Sequence, residues 1–309
     1  MLRVAIPDMV SPSYFPAIAA VELGFFRKEG LDADIELLFP VTRTYEALRE
    51  GTIDFVGGAA HAPLYAFRDW EGCRLLCALA QKMYWFLVVR RNLNAKRGDL
   101  GALKGLRIGA APGPADGLKR MLAESGIDPG RDVAIAPVPG ASGAGVSFGM
   151  AAAKALEEGT VDGFWANGMG AEVALRRGIG TLLIDARRGD GPKGCADYTF
   201  PALVATQKLI DRDPALVAAA VRAVVRAQAA LRHNPGLAVE AAKRHFPAAE
   251  LELIPELIRR DAPFYEPAIS AQTVRALNAF SMRMGLLSAE VSYEDVVATR
   301  FLDGVPGAP

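Results

Sequence analysis

Nine residues have side chains or backbone positions suited to holding a small molecule, and most of them directly follow a predicted strand. They are Ser11, Tyr14, His61, Tyr84, Trp85, Gly113, Trp165, Asn167 and Tyr198. The set contains many rings and few fixed charges. Aromatic rings stack on flat groups, and an asparagine amide both donates and accepts hydrogen bonds. Aromatic walls with few polar anchors predict a neutral or weakly charged cyclic or heterocyclic ligand.

Several of these candidates also have an ordinary structural interpretation. A serine such as Ser11 commonly caps the helix that follows it. Aromatic residues in a strand, such as Tyr84 and Trp85, are usually part of the core, although strand alternation turns their rings to opposite faces. Ligand contact and a structural role therefore both stay open for these positions.

His61 is the one candidate that offers acid–base chemistry. It lies where a helix is predicted to begin, just after the paired glycines Gly57 and Gly58, which let a ligand approach the backbone closely. Its imidazole could exchange hydrogen bonds with a ligand, and protonation near neutral pH could modulate affinity. The other two histidines, His233 and His245, are predicted to lie on the surface of C-terminal helices.

Composition excludes several classes of function. The 309 residues include 35 Lys+Arg and 35 Asp+Glu, so no overall field favours nucleic acid or an anionic membrane surface. No apolar run reaches the roughly 18 residues that span a bilayer, so no membrane span is predicted. No cysteine–histidine cluster has zinc spacing and no phosphate-binding loop is present, so neither a metal nor a cofactor is predicted. The three cysteines, Cys73, Cys77 and Cys195, are an odd number, which excludes a fully paired disulfide framework, and Cys73 and Cys77 are predicted to be buried thiols.

The elements that must position the candidates alternate between strand and helix. Alternation of this kind predicts an α/β fold with mostly parallel sheets. The predicted strands are Leu2–Ile6, Asp34–Leu38, Ile53–Val56, Arg74–Leu79, Met83–Arg90, Leu106–Ala110, Asp132–Pro137, Val161–Trp165, Thr181–Ile184 and Phe200–Ala205. Beyond residue 207 only helices are predicted, and they are Pro214–Arg232, Gly236–His245, Ala248–Arg260 and Ala271–Met284.

Composition shifts divide this series into two lobes. The first lobe is predicted to hold residues 1–89, and residues 90–196 form the second. Residues 197–309 then return and add C-terminal helices to the first lobe.

An internal repeat supports two lobes of similar architecture. Ala47–Phe55 recurs as Ala155–Phe164, and both segments read as a helix end, a glycine stop and a short strand opened by an acidic residue. Gly51 and Gly159 suit the left-handed residue that ends a helix. Ligands of open α/β sheets bind beyond the carboxyl ends of the strands. The repeat therefore predicts a shared cleft with His61 opposite Trp165 and Asn167.

Five segments carry a resemblance to a known family. They are Phe15–Ala20, Glu22–Leu31, Leu48–Asp54, Leu103–Gly109 and Val161–Phe164. The second segment is similar to the family's "helix, then G-F-F-x-x-E-G-L" entrance. Together the segments resemble the NMT1/THI5-like branch of type II periplasmic binding proteins, which includes binders of nitrate, taurine, alkanesulfonates and thiamine-precursor pyrimidines.

The resemblance implies a solute-binding component of an ABC importer, with a small organic ligand and an ABC permease as partners. It implies a two-lobed type II periplasmic-binding fold with a C-terminal helical extension. Two crossover strands, here Met83–Arg90 and Tyr198–Ala205, would connect lobes that close on the ligand. It also implies ligand contacts at His61, Trp165 and Asn167, because relatives use these positions.

One loop departs from the family pattern. Sulfonate-binding relatives tend to have serine or threonine hydroxyls where this chain has Gly109–Asp116. Here the hydroxyls are absent, Pro114 removes one N–H donor and Asp116 adds negative charge. A sulfonate or nitrate ligand is therefore not favoured. A weaker alternative for an anion is the loop Gly140–Ser147, which has flexible N–H groups and two hydroxyls.

Two classes of function stay open. The alternative to a binder is an NMT1/THI5-like enzyme of decarboxylase or hydrolase type, or a cytoplasmic ligand sensor, using His61 on a small cyclic acid. Residues from Met1 to Ile6 do not form a secretory signal and read directly as a strand. The protein is expected to be periplasmic if a leader has been removed, and cytoplasmic if Met1 is the true start.

Overall fold

The computed structural model describes residues 1–8, 11–141, 147–246 and 248–302. The chain divides into two compact units. The first unit contains Met1–Lys82 and the chain from Thr199 onward, and the second contains Met83–Tyr198.

The strands of the described residues follow the alternation expected from the sequence. In chain order they are β1 Leu2–Ile6, β2 Ala33–Leu37, β3 Phe55–Ala59, β4 Cys73–Ala78, β5 Phe86–Arg90, β6 Arg107–Ala110, β7 Ala134–Ala136, β8 Gly163–Ala166, β9 Gly180–Asp185 and β10 Pro201–Thr206.

The α-helices lie between these strands and beyond β10. They are α1 Phe15–Glu22, α2 Phe25–Lys28, α3 Val41–Glu50, α4 Pro114–Glu124, α5 Phe148–Glu157, α6 Gly168–Arg176, α7 Gln207–Arg212, α8 Pro214–His233, α9 Leu237–Ala242, α10 Ala248–Leu251, α11 Ile254–Asp261, α12 Ala271–Arg283 and α13 Tyr293–Val296. Short 3₁₀ helices span Ala62–Tyr65, Arg68–Trp70, Arg91–Leu93, Leu100–Leu103, Ala186–Arg188, Cys195–Asp197, Ala262–Phe264 and Thr299–Phe301.

The two sheets have the same topology. The first unit's sheet has the order β2-β1-β3-β10-β4, and the second unit's sheet has the order β7-β6-β8-β5-β9. In each sheet the first three strands are parallel, and the fourth position holds an antiparallel strand. That antiparallel strand is the first one after the chain passes from one unit to the other. The predicted two-lobed α/β fold is confirmed.

Each sheet has the same irregularity where its fourth strand pairs with its edge strand. The pairing of β10 with β4 shifts between Leu203 and Val204, and the pairing of β5 with β9 shifts between Leu87 and Val88. Such a shift places one extra residue on the edge strand, which bends it and increases its twist.

The repeat seen in the sequence forms the same turn in both units. Gly51 and Gly159 end their helices with φ of 75° and 73°, the left-handed conformation that costs glycine least. The hydroxyls of Thr52 and Thr160 each donate to the carbonyl oxygen five residues earlier, at 3.1 Å in both cases.

The acidic residue of the repeat bonds its turn to β1 in the first unit and to β6 in the second unit. Asp54 Oδ2 accepts from the Arg3 backbone N–H at 2.8 Å, and Asp162 Oδ2 accepts from the Arg107 backbone N–H at 2.9 Å. Asp162 additionally pairs with the Arg107 guanidinium at 2.9 Å and with Arg90 at 2.6 Å. The Arg107 hydrogen bonds are the main reason that the pKa of the Asp162 carboxyl falls to about 2.

The core of the first unit is built around α1 and α8. Helix α1 is apolar all round and is buried from Phe15 to Val21, as expected for a helix enclosed on every side. Helix α8 is long and apolar enough to cross a membrane, but 56% of its apolar stretch is buried inside the protein. Its arginines Arg222 and Arg226 pair with Glu29 next to α2. Helix α8 is therefore accounted for as a core helix.

Three predicted elements differ from those observed. The helix expected from His61 is only the 3₁₀ helix Ala62–Tyr65, with Pro63 in its first turn. The strand expected from Met83 begins at Phe86. The helix expected over 248–260 is two helices, because a proline occupies the first turn of α11.

Candidate functional site

The second unit gathers most of the candidates at one edge of its sheet. Strand β8 ends with Trp165 and Ala166, and Ala166 is paired with Phe86 at the start of antiparallel β5. Trp165 is also paired with Ala110 at the end of β6. The residues just before Phe86 therefore lie beside the residues that end β6 and β8. This carboxyl edge is where open α/β sheets bind ligands.

Three aromatic side chains pack together at this edge, and we call them the ring cluster: Tyr84, Trp85 and Trp165. The ring centroids of Tyr84 and Trp85 are 4.6 Å apart, and those of Trp85 and Trp165 are 6.1 Å apart, both in tilted arrangements. All three side chains are buried, with Trp165 at 0% exposure.

Helix α4 holds the ring cluster in place. The Trp165 indole Nε1 donates to the Pro114 carbonyl oxygen at 2.9 Å, which fixes that ring against the first turn of the helix. Gly117 provides the space for close packing, since a Cβ there would lie 3.0 Å from Met83 Sδ and 3.7 Å from Trp85. The missing side chain at Gly117 therefore leaves room for the Met83 sulfur, whereas a Cβ would be in ordinary van der Waals contact with the ring.

Gly113 lies at the same edge, directly before α4. Its φ of 87° and ψ of −70° are accessible mainly to glycine, and its carbonyl oxygen accepts from the Asp116 N–H at 3.0 Å. The bond from Trp165 to the neighbouring Pro114 brings Gly113 into the vicinity of the ring cluster.

Asn167 follows β8 and acts as a helix cap. Its Oδ1 accepts from the backbone N–H groups of Met169 at 3.1 Å and Gly170 at 3.3 Å. A Cβ on Gly149 would lie 2.7 Å from the same oxygen, so α5 packs directly on this side chain. The carbonyl end of Asn167 thus stabilises α6, and 3% of the residue is exposed.

Tyr198 is anchored through its hydroxyl to the end of α4. The hydroxyl donates to Glu124 at the last turn of that helix, where Arg120 pairs with the same carboxylate at 2.6 Å. Burial and the Glu124 hydrogen bond raise the pKa of the Tyr198 phenol. Gly113 precedes the first turn of α4, and eleven helical residues span about 16 Å. The Tyr198 hydroxyl is therefore fixed at the opposite end of α4 from Gly113.

Arg187 is a residue of this edge that sequence reasoning missed. Its guanidinium lies over the Tyr84 ring at 5.9 Å from the centroid, and the residue is 5% exposed. The segment Arg187–Lys193 is polar and glycine-rich, a composition that predicts a surface loop. Its position could have indicated a place at this edge, because Arg187 lies two residues beyond Asp185. Asp185 ends β9 and is paired with Phe86.

In the first unit, His61 is enclosed within the protein. Its Nδ1 is 2.9 Å from the Thr199 hydroxyl, and the residue has 0% exposure. The imidazole packs edge-on against Phe280 at 5.4 Å and against Tyr65 at 6.2 Å. Because β3 ends at Ala59 and Thr199 lies two residues before the start of β10, this pair lies at the carboxyl edge of the first sheet.

Ser11 and Tyr14 follow β1 at the same edge, and neither serine of this loop caps α1. The N-cap residue is Tyr14, which has no side-chain capping bond. Ser13 donates instead to the buried Asp261 carboxylate at 2.8 Å. Within the described part of the chain the Ser11 hydroxyl is buried without a hydrogen-bond partner. Of the two roles left open for Ser11, capping of α1 is not observed, and its hydroxyl is left with hydrogen-bonding capacity that the described residues do not use.

Two further expectations concern the loop at 140–147 and the histidine His245. The alternative anion loop at 140–147 falls largely on residues 142–146, which lie outside the described residues, and Ser147 caps α5. His245 is not a free surface residue, since its Nε2 contacts Glu22 at 2.7 Å and its side chain is 10% exposed. The adjacent Arg244 pairs with Asp34 at 2.7 Å, which lowers the pKa of that carboxyl.

The three cysteines are free, buried thiols, as predicted for Cys73 and Cys77. Burial raises the pKa of Cys73 and Cys77 to about 12 and that of Cys195 to about 11. Among the described residues no group of three histidine, cysteine or carboxylate side chains is arranged to hold a metal ion.

Comparison with known proteins decides the family. The family model described as "NMT1/THI5 like" matches residues 11–238, which is well over half of the chain. The chain belongs to the NMT1/THI5-like family. No curated protein matches this sequence.

Solved structures with the same fold include binding proteins and an enzyme. A Bordetella bronchiseptica RB50 protein is 20% identical, with a TM-score of 0.76 over 97% of this NMT1/THI5-like chain and 95% of the other. The alkanesulfonate-binding protein SsuA from Xanthomonas axonopodis pv. citri, bound to MOPS, is 17% identical with a TM-score of 0.72, covering 96% and 98%. A mutant of the desulfurization enzyme DSZB, in complex with biphenyl-2-sulfinic acid, is 18% identical with a TM-score of 0.68, covering 98% of both chains. At these identities the likeness shows the fold.

Proposed function

We propose that this protein is the solute-binding component of an ABC importer and that its ligand is a small organic molecule with an aromatic or heterocyclic ring. Membership of the NMT1/THI5-like family and the likeness to SsuA support the binding role. The observation that carries the proposal is the ring cluster at the carboxyl edge of the second sheet.

The ring cluster fits a flat ligand for physical reasons. Adjacent rings present large apolar faces, and each favourable aromatic pair adds about 0.5–1.5 kcal/mol beyond the burial of its area. The indole of Trp165 has its N–H already satisfied by Pro114, so a ligand stacked on this ring would leave no unpaired indole donor. A ligand without a ring would gain little from such a surface.

Isothermal titration with a panel of aromatic acids, pyrimidines and alkanesulfonates tests this proposal. We expect a ring-bearing compound to bind more tightly than any alkanesulfonate of similar size. Trp165→Leu should weaken that binding at least about tenfold, equivalent to the roughly 1.4 kcal/mol that each tenfold change represents. Trp70→Leu is the matched control, because Trp70 is also buried but lies in the first unit. Tight binding of small alkanesulfonates alone would overturn the proposal.

The transport role implies a permease partner and a location outside the cytoplasmic membrane. Both are part of the proposal. Fractionation of the host cell should recover the protein with the periplasmic contents, and deletion of its gene should abolish uptake of the ligand found by titration. Recovery in the cytoplasmic fraction would contradict the transport role.

One observation favours an enzyme as the second candidate. The His61 Nδ1 and the Thr199 hydroxyl are 2.9 Å apart, within reach for a proton transfer, and DSZB is an enzyme with the same fold. His61→Ala separates the two roles. Loss of turnover of a small cyclic acid with binding retained would support a lyase or hydrolase. Loss of affinity with no turnover in either protein supports the binder.

A further inference from the structure

We infer that Arg187 recognises an anionic group on the ligand, so that the ligand is an aromatic acid rather than a neutral ring. The inference rests on the proposed binding function and names its substrate class. It differs from the neutral or weakly charged ligand expected from the sequence.

The register of the second sheet places Arg187 beside the ring cluster. Strand β9 is antiparallel to β5, with Asp185 opposite Phe86. The chain that continues past Asp185 therefore runs beside the residues that precede Phe86. Arg187 and Tyr84 meet there, with the guanidinium 5.9 Å from the ring centroid. This position is set by the sheet and does not depend on a surface loop.

The burial of Arg187 separates it from its neighbour. Arg187 is 5% exposed, whereas the side chain of Arg188 is 45% exposed and lies 3.5 Å from Asp185. Removing a guanidinium from water is costly unless hydrogen bonds and opposite charge compensate it. Arg187 is held by contacts within the protein, and it lies at the edge where ligands of such sheets bind.

The chemistry of the guanidinium accounts for both a ring and an anion. Its plane stacks on an aromatic face, and its five N–H donors point outward in that plane. Arg187 also has contacts within the protein. Five donors allow it to keep these contacts and still bind a carboxylate, sulfonate or sulfinate oxygen.

The spacing of the groups limits the ligand further. The distances from Arg187 to Tyr84, from Tyr84 to Trp85 and from Trp85 to Trp165 are 5.9, 4.6 and 6.1 Å. A cation and a stacking surface thus lie within about one ring's width of each other. We therefore expect the anionic group to be attached to the ring directly or through one atom.

Matched pairs of acid and neutral probes test the inference. The acids are benzoate, benzenesulfonate and biphenyl-2-sulfinate, and the neutral partners are benzamide, benzenesulfonamide and biphenyl. In the wild-type protein at least one acid should bind at least about tenfold more tightly than its neutral partner, a preference typical of a buried charged contact. Titration calorimetry measures each affinity, and thermal unfolding by circular dichroism checks that each variant is folded.

Variants at two neighbouring positions supply the decisive comparison. Arg187→Gln should weaken binding of the acid by at least about thirtyfold, while binding of the neutral partner changes less than about threefold. Arg188→Gln, the exposed neighbour, should leave both affinities within about threefold. Arg187→Lys keeps a charge but loses the planar fork, so part of the acid preference should remain. This variant also carries the test if Arg187→Gln does not fold.

The outcomes distinguish a failure of the proposed Arg187 role from a failure of the proposed binding function. If rings bind but acids and neutral partners bind equally well, or if Arg187→Gln weakens both alike, the role of Arg187 is overturned while the binding function stands. If no ring-bearing probe binds the wild-type protein, both are overturned.

Discussion

The two copies of the repeated turn allow one energetic prediction to be made with an internal control. Asp162 pairs with Arg107 and Arg90 in addition to its backbone bond, whereas Asp54 makes the equivalent backbone bond and, within the described residues, no arginine pair. Replacement of each aspartate by asparagine compares the same turn with and without its ion pairs.

The pKa of Asp162 sets the magnitude. A carboxyl whose pKa is about 2 in the folded protein and about 3.9 in the unfolded chain contributes about 2.6 kcal/mol at neutral pH. The Arg107 side chain is 52% exposed, and solvent screening reduces the expected contribution to about 1–2 kcal/mol. Asp162→Asn should therefore lower the free energy of unfolding of the second unit by about 1–2 kcal/mol at pH 7, and Asp54→Asn should lower that of the first unit by less than about 1 kcal/mol.

The pH dependence provides the second half of the test. Because the folded pKa of Asp162 is lowered, its contribution is fully present above about pH 5 and is lost as the pH falls toward 2. At pH 3 about half of the difference between wild type and Asp162→Asn should be gone.

Urea unfolding followed by tryptophan fluorescence suits this measurement, because Trp85 and Trp165 both report on the second unit. The expected effect of Asp162→Asn is a fall in the midpoint of about 0.5–1 M at an m-value of about 2 kcal/mol per molar urea. An Asp162→Asn midpoint equal to that of Asp54→Asn at pH 7, or a difference that does not shrink at pH 3, would refute the reasoning.

Three further outcomes are expected. Gly170→Ala should destabilise the protein by about 2–3 kcal/mol, because the new Cβ would lie 2.4 Å from the Gly149 carbonyl oxygen; Gly130→Ala, whose nearest neighbour is at 3.5 Å, is the control in thermal unfolding. Gln228→Leu should cost about 1–3 kcal/mol in urea unfolding, since it removes two buried hydrogen bonds of 2.9 Å to the carbonyl groups at the end of β4. Gln207→Leu, which removes one hydrogen bond from the half-buried Gln207 to the exposed Asp211, should change stability by less than about 0.5 kcal/mol, and equal effects would contradict this account. The three cysteines should react with a thiol reagent at pH 8 only after unfolding, because their pKa values are raised to about 11–12; rapid labelling of the native protein would show that they are not buried.

The fold was predictable because its signals are local. A glycine stop such as Gly51 or Gly159, followed by a buried strand, needs only neighbouring residues to be recognised. The pairing of Asp54 with Arg3, and of Asp162 with Arg107, connects residues about 50 positions apart and was not visible.

The candidate site was predictable only in part. Tyr84, Trp85 and Trp165 come together because they follow or precede strands that end at one edge, which the order of the elements already implies. Arg187 was missed because its burial depends on the register of β9 against β5, and sequence composition around it is that of a surface loop. The sequence did not show that the Tyr198 hydroxyl bonds to Glu124, because that contact joins residues 74 positions apart.

Sequence patterns also do not show which role a polar side chain has. Polar residues after strands occur both as ligand contacts and as helix caps, and the Oδ1 of Asn167 caps a helix. Ser13 bonds to Asp261, which lies 248 positions later. Only the folded chain shows which residue takes which role.

Strand β10, the fourth strand of the first sheet, comes after the whole second unit in the chain, and this affects the order of events during synthesis. Strands β5 to β9 lie in the continuous segment Met83–Tyr198, so the second sheet has all its members as soon as that segment has left the ribosome. The first sheet lacks β10 until residues beyond Thr199 are made, and at about 5–20 residues per second the 116-residue insertion delays its completion by roughly 6–23 s. During that interval β3 and β4, which never pair with each other in the finished sheet, each present an open edge. The first part of the chain to be made is thus the last to be completed, and it is the part that most needs protection from aggregation while the rest is translated.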